Sequence, residues 1–312
     1  GIPYLERGYF TAARENHDKT IRSLFTQGVP DQQQYPEAWR NDGSQVNFLA
    51  ANLQRKYGPA FRERWEDMTE KRLRYWGFNS SGKWNNPFLF DRLPFLLDSG
   101  LPVRKIDRYI DPFDSEFETK TEKHIQNLCA RFRENPYLIG YQFENENGWS
   151  RSTPLLLLKD RSGTLSAKRA LLEFIAKRNN SDPGTFFDRQ GISIQQLMRE
   201  SLDGTHLQQE QLHDFIQMAS RRYHSILARL VRKYDPNHLF LGASHCSAQS
   251  VEWIEGSLQS IDLLPLHEYN LNSQWIGGFL AENLKKWDKP FAVLEYSFIN
   301  NRRGFGSFSD TV

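Results

Sequence analysis

Residues 135–149 read NPYLIGYQFENENGW. Asn and Pro precede an apolar and aromatic run at 137–143, a pattern typical of a buried β-strand. This strand passes directly into Glu144-Asn145-Glu146, with Trp149 close behind. Catalytic groups of parallel α/β sheets lie at such carboxyl ends. Glu and Asn are also common at solvated strand ends, so this stretch alone leaves both interpretations open.

A second carboxylate lies in an otherwise uncharged strand. Residues 289–298 read KPFAVLEYSF, with Glu295 between Leu294 and Tyr296. Burying an unpaired carboxylate is costly, so such a residue needs either a partner or a task. The alternatives are an ion pair with an arginine and a catalytic role. Together with Glu146, Glu295 supplies the two carboxyl groups that glycoside hydrolysis requires.

A third strand end lies between these two in sequence, at residues 266–270, which read LHEYN. A hydroxyl from Tyr269 at this position can hydrogen-bond an ionised carboxylate and orient it. His267 is either part of the same site or a core histidine with satisfied hydrogen bonds.

The remaining pattern alternates helices with short apolar runs, which indicates an α/β fold with a largely parallel sheet. Helical periodicity appears at 46–57, at 61–75 and in a long helix that ends before Asp235. Six strand candidates lie at 77–84, at 93–97 or around Val103, and at 137–144, 239–245, 261–269 and 291–298. A closed eight-stranded barrel needs two more, the first and the last. Either these two strands are present but not recognised, or the sequence is part of a longer chain, which is the alternative we favour.

We interpret residues 1–312 as a single catalytic domain, because an α/β barrel of about 250 residues forms one unit. An irregular N-terminal arm is expected at 1–43. The segment at about 150–220 is too long for a simple connection and is helical. It is either an insertion over the barrel mouth or an elaboration of the outer helices.

Composition excludes several classes of function. The chain has 40 basic and 38 acidic residues, a net charge of +2, which argues against nucleic acid or an anionic membrane surface as partner. It contains no apolar stretch of about 18 residues that would span a membrane. Cys129 and Cys246 are too few for a disulfide framework or a zinc cluster. His245 beside Cys246 has no further ligands at suitable spacing, so we expect neither a metal nor a cofactor.

The order of these strand ends resembles the clan A glycoside hydrolases, and within them the β-agarase and β-galactosidase-like branch. The resemblance also covers Trp76-Gly77-Phe78-Asn79, Asp111-Pro112-Phe113-Asp114 and the motif YDPNHLFLG at 234–242. It extends roughly from Trp65 to Phe298. It implies a (β/α)8 TIM barrel with an acid/base Glu after strand four and a nucleophile Glu on strand seven.

Carried over by position, the resemblance makes Glu146 the acid/base and Glu295 the nucleophile. It makes Asn145 a donor to the sugar 2-hydroxyl and Tyr269 the hydrogen-bond partner of Glu295. The branch usually has Asp-Asn-Glu where this chain has Glu144-Asn145-Glu146. It usually has Arg after the Leu-Gly of strand five, where this chain reads Ala243-Ser244-His245.

The substrate-binding candidates are Asn145, His245, His267 and Tyr269, together with Trp84 and Trp149, whose rings either stack on sugars or anchor the core. The expected activity is retaining hydrolysis of a β-linked galactan such as agarose. The alternatives are a β-galactosidase, a β-glucan or mannan hydrolase, and a carbohydrate-binding protein without turnover. The expected partner is an oligo- or polysaccharide. A polymer does not enter cells intact, so a secreted or periplasmic location is expected.

Overall fold

The two units of the chain comprise Gly1–Phe95 and Leu96–Val312. The computed structural model describes residues 9–10, 31–38, 46–106, 109–204, 207–246, 250–268 and 281–296. The single catalytic domain at 1–312, the arm at 1–43 and the insertion at about 150–220 stay predictions.

The first unit is mainly helical. Its elements are β1 (Tyr9–Phe10), β2 (Val46–Asn47), α1 (Phe48–Tyr57) and α2 (Phe61–Tyr75). Asn47 caps α1, because its side-chain oxygen accepts a hydrogen bond from the backbone N–H of Ala50 at 3.0 Å. The two helices predicted from periodicity are therefore present, the first beginning two residues later than expected.

Aromatic and small side chains form the core between α1 and α2. Ala50 and Ala51 of α1 are buried against Phe61 and Trp65, which lie one turn apart on α2. The ring of Phe88 contacts Trp65 edge-on, with 5.2 Å between centroids. This geometry contributes beyond simple burial, because the aromatic edge and face carry opposite partial charges.

The strand predicted at 77–84 is wrong. Only Gly82 forms a bridge there, an isolated parallel one to Phe95. Gly77, Gly82 and Trp84 have φ angles of 82°, 70° and 58°. Because these angles lie outside the extended region, the backbone turns repeatedly and cannot continue a ladder.

The second unit alternates strands and helices. Its elements, with β3 at the boundary of the two units, are β3 (Phe95–Ser99), β4 (Lys105–Ile106), β5 (Tyr109–Ile110), α3 (Phe117–Phe132), β6 (Leu138–Asn145), α4 (Thr153–Lys159), α5 (Ser166–Arg178), α6 (Pro183–Phe186), α7 (Ile194–Leu197), α8 (Gln209–Tyr234), β7 (Leu239–Ser244), α9 (Val251–Ser257), β8 (Leu264–Glu268), α10 (Ala281–Trp287) and β9 (Phe291–Tyr296). None of the helices that the structure describes has the length and hydrophobicity needed to cross a membrane.

Five strands follow one another in the order β3-β6-β7 and β8-β9. The pairs β6/β7 and β8/β9 are parallel, and a parallel bridge from His245 to Leu266 joins the two sheets. The strands predicted near 93–97, 137–144, 239–245, 261–269 and 291–298 are thus present. No closed barrel forms among the described residues, so the architecture is mixed helix and sheet and the predicted eight-stranded barrel is not shown.

Helix α8 packs its apolar face against the sheet and neighbouring helices, as its periodicity predicted. Its buried apolar residues are Leu212, Phe215, Ile216, Ala219, Tyr223, Ile226, Leu227, Ala228, Leu230 and Val231. Asp235 ends the helix: it is fully buried and accepts a 2.7 Å hydrogen bond from the hydroxyl of Tyr141 on β6. This bond ties the end of α8 to the sheet.

A buried lysine fastens the helices of the segment at 153–204. Lys168 of α5 is fully buried, and its ammonium donates to the carbonyls of Asp160 at 2.6 Å and Glu200 at 2.5 Å. Burial lowers the pKa of Lys168. Backbone carbonyls from two loops thus satisfy a charge that would otherwise be costly to bury.

The close approach of β7 to α8 depends on Gly242. Tyr141 pairs with Phe240 and Gln142 with Gly242, so β7 carries one extra residue, Leu241, at this point. Gly242 has a φ of 75°, and a Cβ added to it would lie 2.6 Å from Cδ2 of His224 on α8. A glycine is therefore required both by backbone conformation and by close packing.

We expect Gly242→Ala to destabilise the chain by about 3 kcal/mol, since it combines left-handed strain with overpacking against His224. The matched control is Gly191→Ala. Gly191 has the same φ of 75° but nothing within 4 Å of an added Cβ, so about 1–2 kcal/mol is expected there. Denaturant unfolding of both variants measures the difference. Equal losses in the two variants would contradict the close approach of His224.

Candidate active site

Three strand ends bring the predicted catalytic residues together. Asn145 ends β6 and Glu146 follows it, His267 lies near the end of β8, and Glu295 lies near the end of β9. In the β8/β9 ladder, Leu266 pairs with Val293 and His267 with Glu295, so β9 carries one extra residue, Leu294. This register shift places Glu295 directly opposite His267.

His267 lies between the two carboxylates. Its Nδ1 is 2.6 Å from Oε1 of Glu146, and its Nε2 is 3.4 Å from Oε1 of Glu295. The imidazole is completely buried, whereas the side chains of Glu146 and Glu295 are 30% and 20% exposed. The arrangement therefore presents two reachable carboxylates on either side of one inaccessible ring.

The two carboxylates are close enough to act on one bond. One oxygen of Glu146, one oxygen of Glu295 and one nitrogen of His267 all lie within 4.8 Å of one another. The same three residues are those that could hold a metal ion among the described part of the chain. Any ion would have to displace the short contact between His267 and Glu146.

The backbone around the acid/base candidate adopts rare conformations. Glu144 and Glu146 have φ angles of 68° and 54°, in the left-handed region that non-glycine residues seldom occupy. Between the pairs Gln142–Gly242 and Asn145–Ser244, β6 carries one more residue than β7. Such bulges reorient side chains next to active sites, and strain of this kind concentrates at functional positions.

Glu144 is buried and anchored away from the reaction centre. Its Oε1 accepts a hydrogen bond from the backbone N–H of Leu101 at 2.6 Å, and its Oε2 lies 2.9 Å from Nζ of Lys105. The amide of Asn147 also donates to Oε2. The Glu that replaces the usual Asp of this motif thus holds the loop after β3 and the residue after Glu146.

A layer of buried histidines lies next to His267. The rings of His245 and His224 are 6.2 Å apart, and neither ring nitrogen of His245 has a hydrogen-bond partner among the described residues. Burial, then the neighbouring His224 and His267, hold the pKa of His245 well below its ordinary value. Burial lowers the pKa of His224 to about 4. Both rings are therefore neutral near pH 7.

His245 contributes through its backbone. Its N–H donates to the carbonyl of Pro265 at 3.0 Å, and its carbonyl accepts from the N–H of His267 at 2.7 Å. The side chain of His245 is 1% exposed, so it lies in the protein interior and not at the accessible surface of the site. Among the described residues, neither Cys129 nor Cys246 forms a disulfide bond.

Trp149 lies in an aromatic cluster. It is fully buried, stacks on Trp253 with 5.8 Å between ring centroids, and donates from Nε1 to the carbonyl of Ile110 at 2.8 Å. This placement favours the core role over the sugar-stacking role that the sequence left open.

Two candidates, Trp84 and Tyr269, are not among the described residues of the second unit. Trp84 belongs to the first unit; it is 45% exposed, and the ammonium of Lys83 lies 4.2 Å from its ring centroid. Tyr269 lies outside the described residues. Their roles in binding stay predictions.

The sequence of this chain is similar to those of two β-agarases. No family model matches the chain. It is 26% identical over 287 residues to β-agarase B of Vibrio sp. strain JT0107, covering 82% of this chain and 30% of that protein. It is 25% identical over 313 residues to β-agarase A of the same strain, covering 87% and 30%. The predicted likeness to the β-agarases is confirmed. The chain spans 30% of the length of these two relatives.

Solved structures of agarases share its fold. An exo-β-agarase matches with a TM-score of 0.70 at 21% identity, over 81% of this chain and 38% of the other. A second agarase matches with a TM-score of 0.75 at 20% identity, over 89% and 45%. The arrangement of strands that carries Glu146, His267 and Glu295 is thus an agarase-like fold.

Sequence reasoning missed two residues near the site, Ser244 and Lys105. Ser244 pairs with Asn145 in the β6/β7 ladder, and Lys105 neutralises Glu144. Ser244 was visible only as part of Ala243-Ser244-His245, where the branch usually has Arg after the Leu-Gly of strand five. Lys105 lies far from Glu144 in sequence, and nothing local predicts the contact.

The buried histidines make stability depend on pH in a defined direction. His224 takes up a proton near pH 6.5 when unfolded but only at about 4 when folded. Between these values the unfolded state binds more protons, so stability falls as pH falls. From pH 7 to pH 5 we expect His224 alone to contribute a loss of about 2 kcal/mol.

The test compares free energies of unfolding at pH 7 and pH 5 for the native chain and His224→Gln, which keeps polarity but cannot titrate. The variant should lose about 2 kcal/mol less than the native chain between these values. Leu227→Ala, at a fully buried position of the same helix, should lower stability equally at both. If native and His224→Gln show the same pH dependence, His224 is not buried in its neutral form.

Proposed function

We propose that this chain is a retaining glycoside hydrolase that cleaves a β-linked galactan of the agarose type. The observation that carries the proposal is the placement of His267 between Glu146 and Glu295, with oxygens of the two carboxylates within 4.8 Å. Retaining enzymes hold their carboxyl groups about 5–5.5 Å apart, whereas inverting enzymes need about 6.5–9.5 Å to admit a water. Because an oxygen of each carboxylate lies within this short range, we propose direct attack by one carboxylate.

The first step breaks the glycosidic bond. Glu295 attacks the anomeric carbon with a carboxylate oxygen while Glu146 gives its proton to the leaving oxygen. The product is a glycosyl ester of Glu295 and a free alcohol on the released chain. In the second step Glu146, now ionised, takes a proton from water, which attacks the same carbon and frees Glu295.

His267 provides a route for the proton that this first step needs. A neutral imidazole has one N–H and one lone pair. With its proton on Nε2, the ring turns a polar N–H edge toward ionised Glu295, 3.4 Å away and without a hydrogen bond to it. Nδ1 then accepts the proton of Glu146 across the 2.6 Å contact. The state in which His267 is an imidazolium and both carboxylates are ionised contains the same number of protons as this one. Transfer of one proton from Nδ1 of His267 to Glu146 along that contact therefore gives Glu146 the protonated form that a general acid needs.

The substrate class rests on the sequence relatives, which are β-agarases of Vibrio sp. strain JT0107. We assign Asn145 to the sugar 2-hydroxyl, Tyr269 to Glu295 and Trp84 to ring stacking. Because a galactan polymer stays outside the cell, we propose that the protein acts after export. The similarity to agarases disfavours glucan or mannan as substrate.

Two carboxamide variants test the roles of the carboxylates on agarose. Glu295→Gln removes the nucleophile, and we expect a loss of activity at least as large as the roughly 10²–10⁴-fold expected for Glu146→Gln. Glu146→Gln should lose far less in the bond-breaking step on a dinitrophenyl galactoside, whose leaving group needs no proton. Release of reducing ends and of dinitrophenol measures the two.

The matched control is Glu255→Gln, which alters a carboxylate of α9 bound to Lys286 at 2.6 Å and should keep native activity. Unchanged hydrolysis in Glu295→Gln would refute the mechanism. Binding of agarose oligosaccharides by the native chain without turnover would instead indicate a carbohydrate-binding protein, and a preference for β-glucan or mannan would refute the substrate class.

A further inference from the structure

Ser244 is the last residue of β7 and lies against the acid/base segment. It is fully buried, and in the ladder between β6 and β7 it pairs with Asn145, the residue before Glu146. Among the described residues, its hydroxyl makes hydrogen bonds to two groups of this segment. The backbone N–H of Glu146 is 3.3 Å from its oxygen, and Oδ1 of Asn145 is 3.1 Å away.

The chemistry of these groups fixes the direction of both hydrogen bonds. A backbone N–H can only donate, so the oxygen of Ser244 accepts from Glu146. The single hydroxyl proton is then available for Asn145, whose carboxamide must turn its oxygen toward Ser244. The amide nitrogen of Asn145, its only side-chain donor, is consequently directed away from Ser244. One hydroxyl thus sets the orientation of the Asn145 amide.

The same hydroxyl supports an unfavourable backbone. Glu146 has a φ of 54° and Glu144 a φ of 68°, and such conformations persist only where surrounding contacts hold them. The bond from the Glu146 N–H to Ser244 acts directly on the peptide that enters this conformation. It therefore influences the direction in which the Glu146 carboxyl leaves the backbone toward His267.

We propose that Ser244 is a positioning residue for catalysis, which orients the acid/base Glu146 and the donor amide of Asn145 at the same time. This inference rests on the proposed function, because it assumes that these two residues act on the sugar. Ser244 acts on both through hydrogen bonds, to the backbone of Glu146 and to the amide oxygen of Asn145. Its effect should fall on the turnover step more than on stability.

The test is Ser244→Ala, with kcat and KM measured on agarose oligosaccharides. Losing the hydroxyl should lower kcat about tenfold, the effect of a typical hydrogen bond at a site, with KM changed less. Ser244→Thr restores a hydroxyl and should recover most of the activity. Ser257→Ala is the control, since it removes an equally buried serine hydroxyl that donates to the carbonyl of Ile254 at 2.7 Å. It should match Ser244→Ala in thermal stability and keep native kcat.

A double-mutant cycle with Asn145→Ala distinguishes positioning from a general structural effect. If Ser244 acts through Asn145, its removal should cost clearly less in kcat once Asn145 is alanine. Additive losses, or native kcat in Ser244→Ala, would overturn the inference. If the native chain hydrolyses nothing, the proposed function fails by itself. The contact is then judged by solvent exchange of the Glu146 amide proton, which is faster in Ser244→Ala if the contact exists and unchanged if it does not.

Discussion

The contact between the buried imidazole of His267 and two carboxylates organises the site. Like charges on two carboxylates whose oxygens lie within 4.8 Å would repel, so a shared proton or a nearby positive charge stabilises the pair. A buried ring with a nitrogen toward each oxygen supplies this. The geometry also requires β8 and β9 to run in parallel with His267 opposite Glu295, so the register of this pair is part of the chemistry.

Irregularities in the strand pairing produce the register that brings these residues together. The extra residue at Leu294 sets Glu295 opposite His267, and the extra residue on β6 precedes the pairing of Asn145 with Ser244. Gly242 lets β7 approach α8 closely enough for His224 to lie beneath the site. These irregularities lie next to the catalytic groups, where a uniform ladder would alternate side chains and direct some of them away.

Much of this was predictable from the sequence. Apolar runs bounded by Asn and Pro located β6 and β9, and the 3.6-residue periodicity located α2 and α8, because burial of one face dominates in both kinds of element. Glu146 and Glu295 were predicted together because glycoside hydrolysis needs two carboxyl groups, and His267 was a candidate because it lies at a third strand end between them in sequence. These three residues do meet in the structure.

Other features depend on contacts that no local pattern encodes. Residues 77–84 were predicted to form a strand, yet left-handed backbone angles at Gly77, Gly82 and Trp84 prevent a ladder. An aromatic after a strand end looks the same whether it faces sugar or core, and Trp149 is buried by Trp253, more than a hundred residues away. Ser244 is an ordinary strand residue until the register with Asn145 is known.

In the proposed mechanism, Glu295 attacks the sugar directly while Glu146 transfers the proton. The most direct measurement is the anomeric form of the first product, followed by proton NMR during early hydrolysis of an agarose oligosaccharide. We expect the β anomer to appear first and then to mutarotate, because two displacements at one carbon restore its configuration. Initial appearance of the α anomer would mean a single displacement by water and would contradict Glu295 as nucleophile.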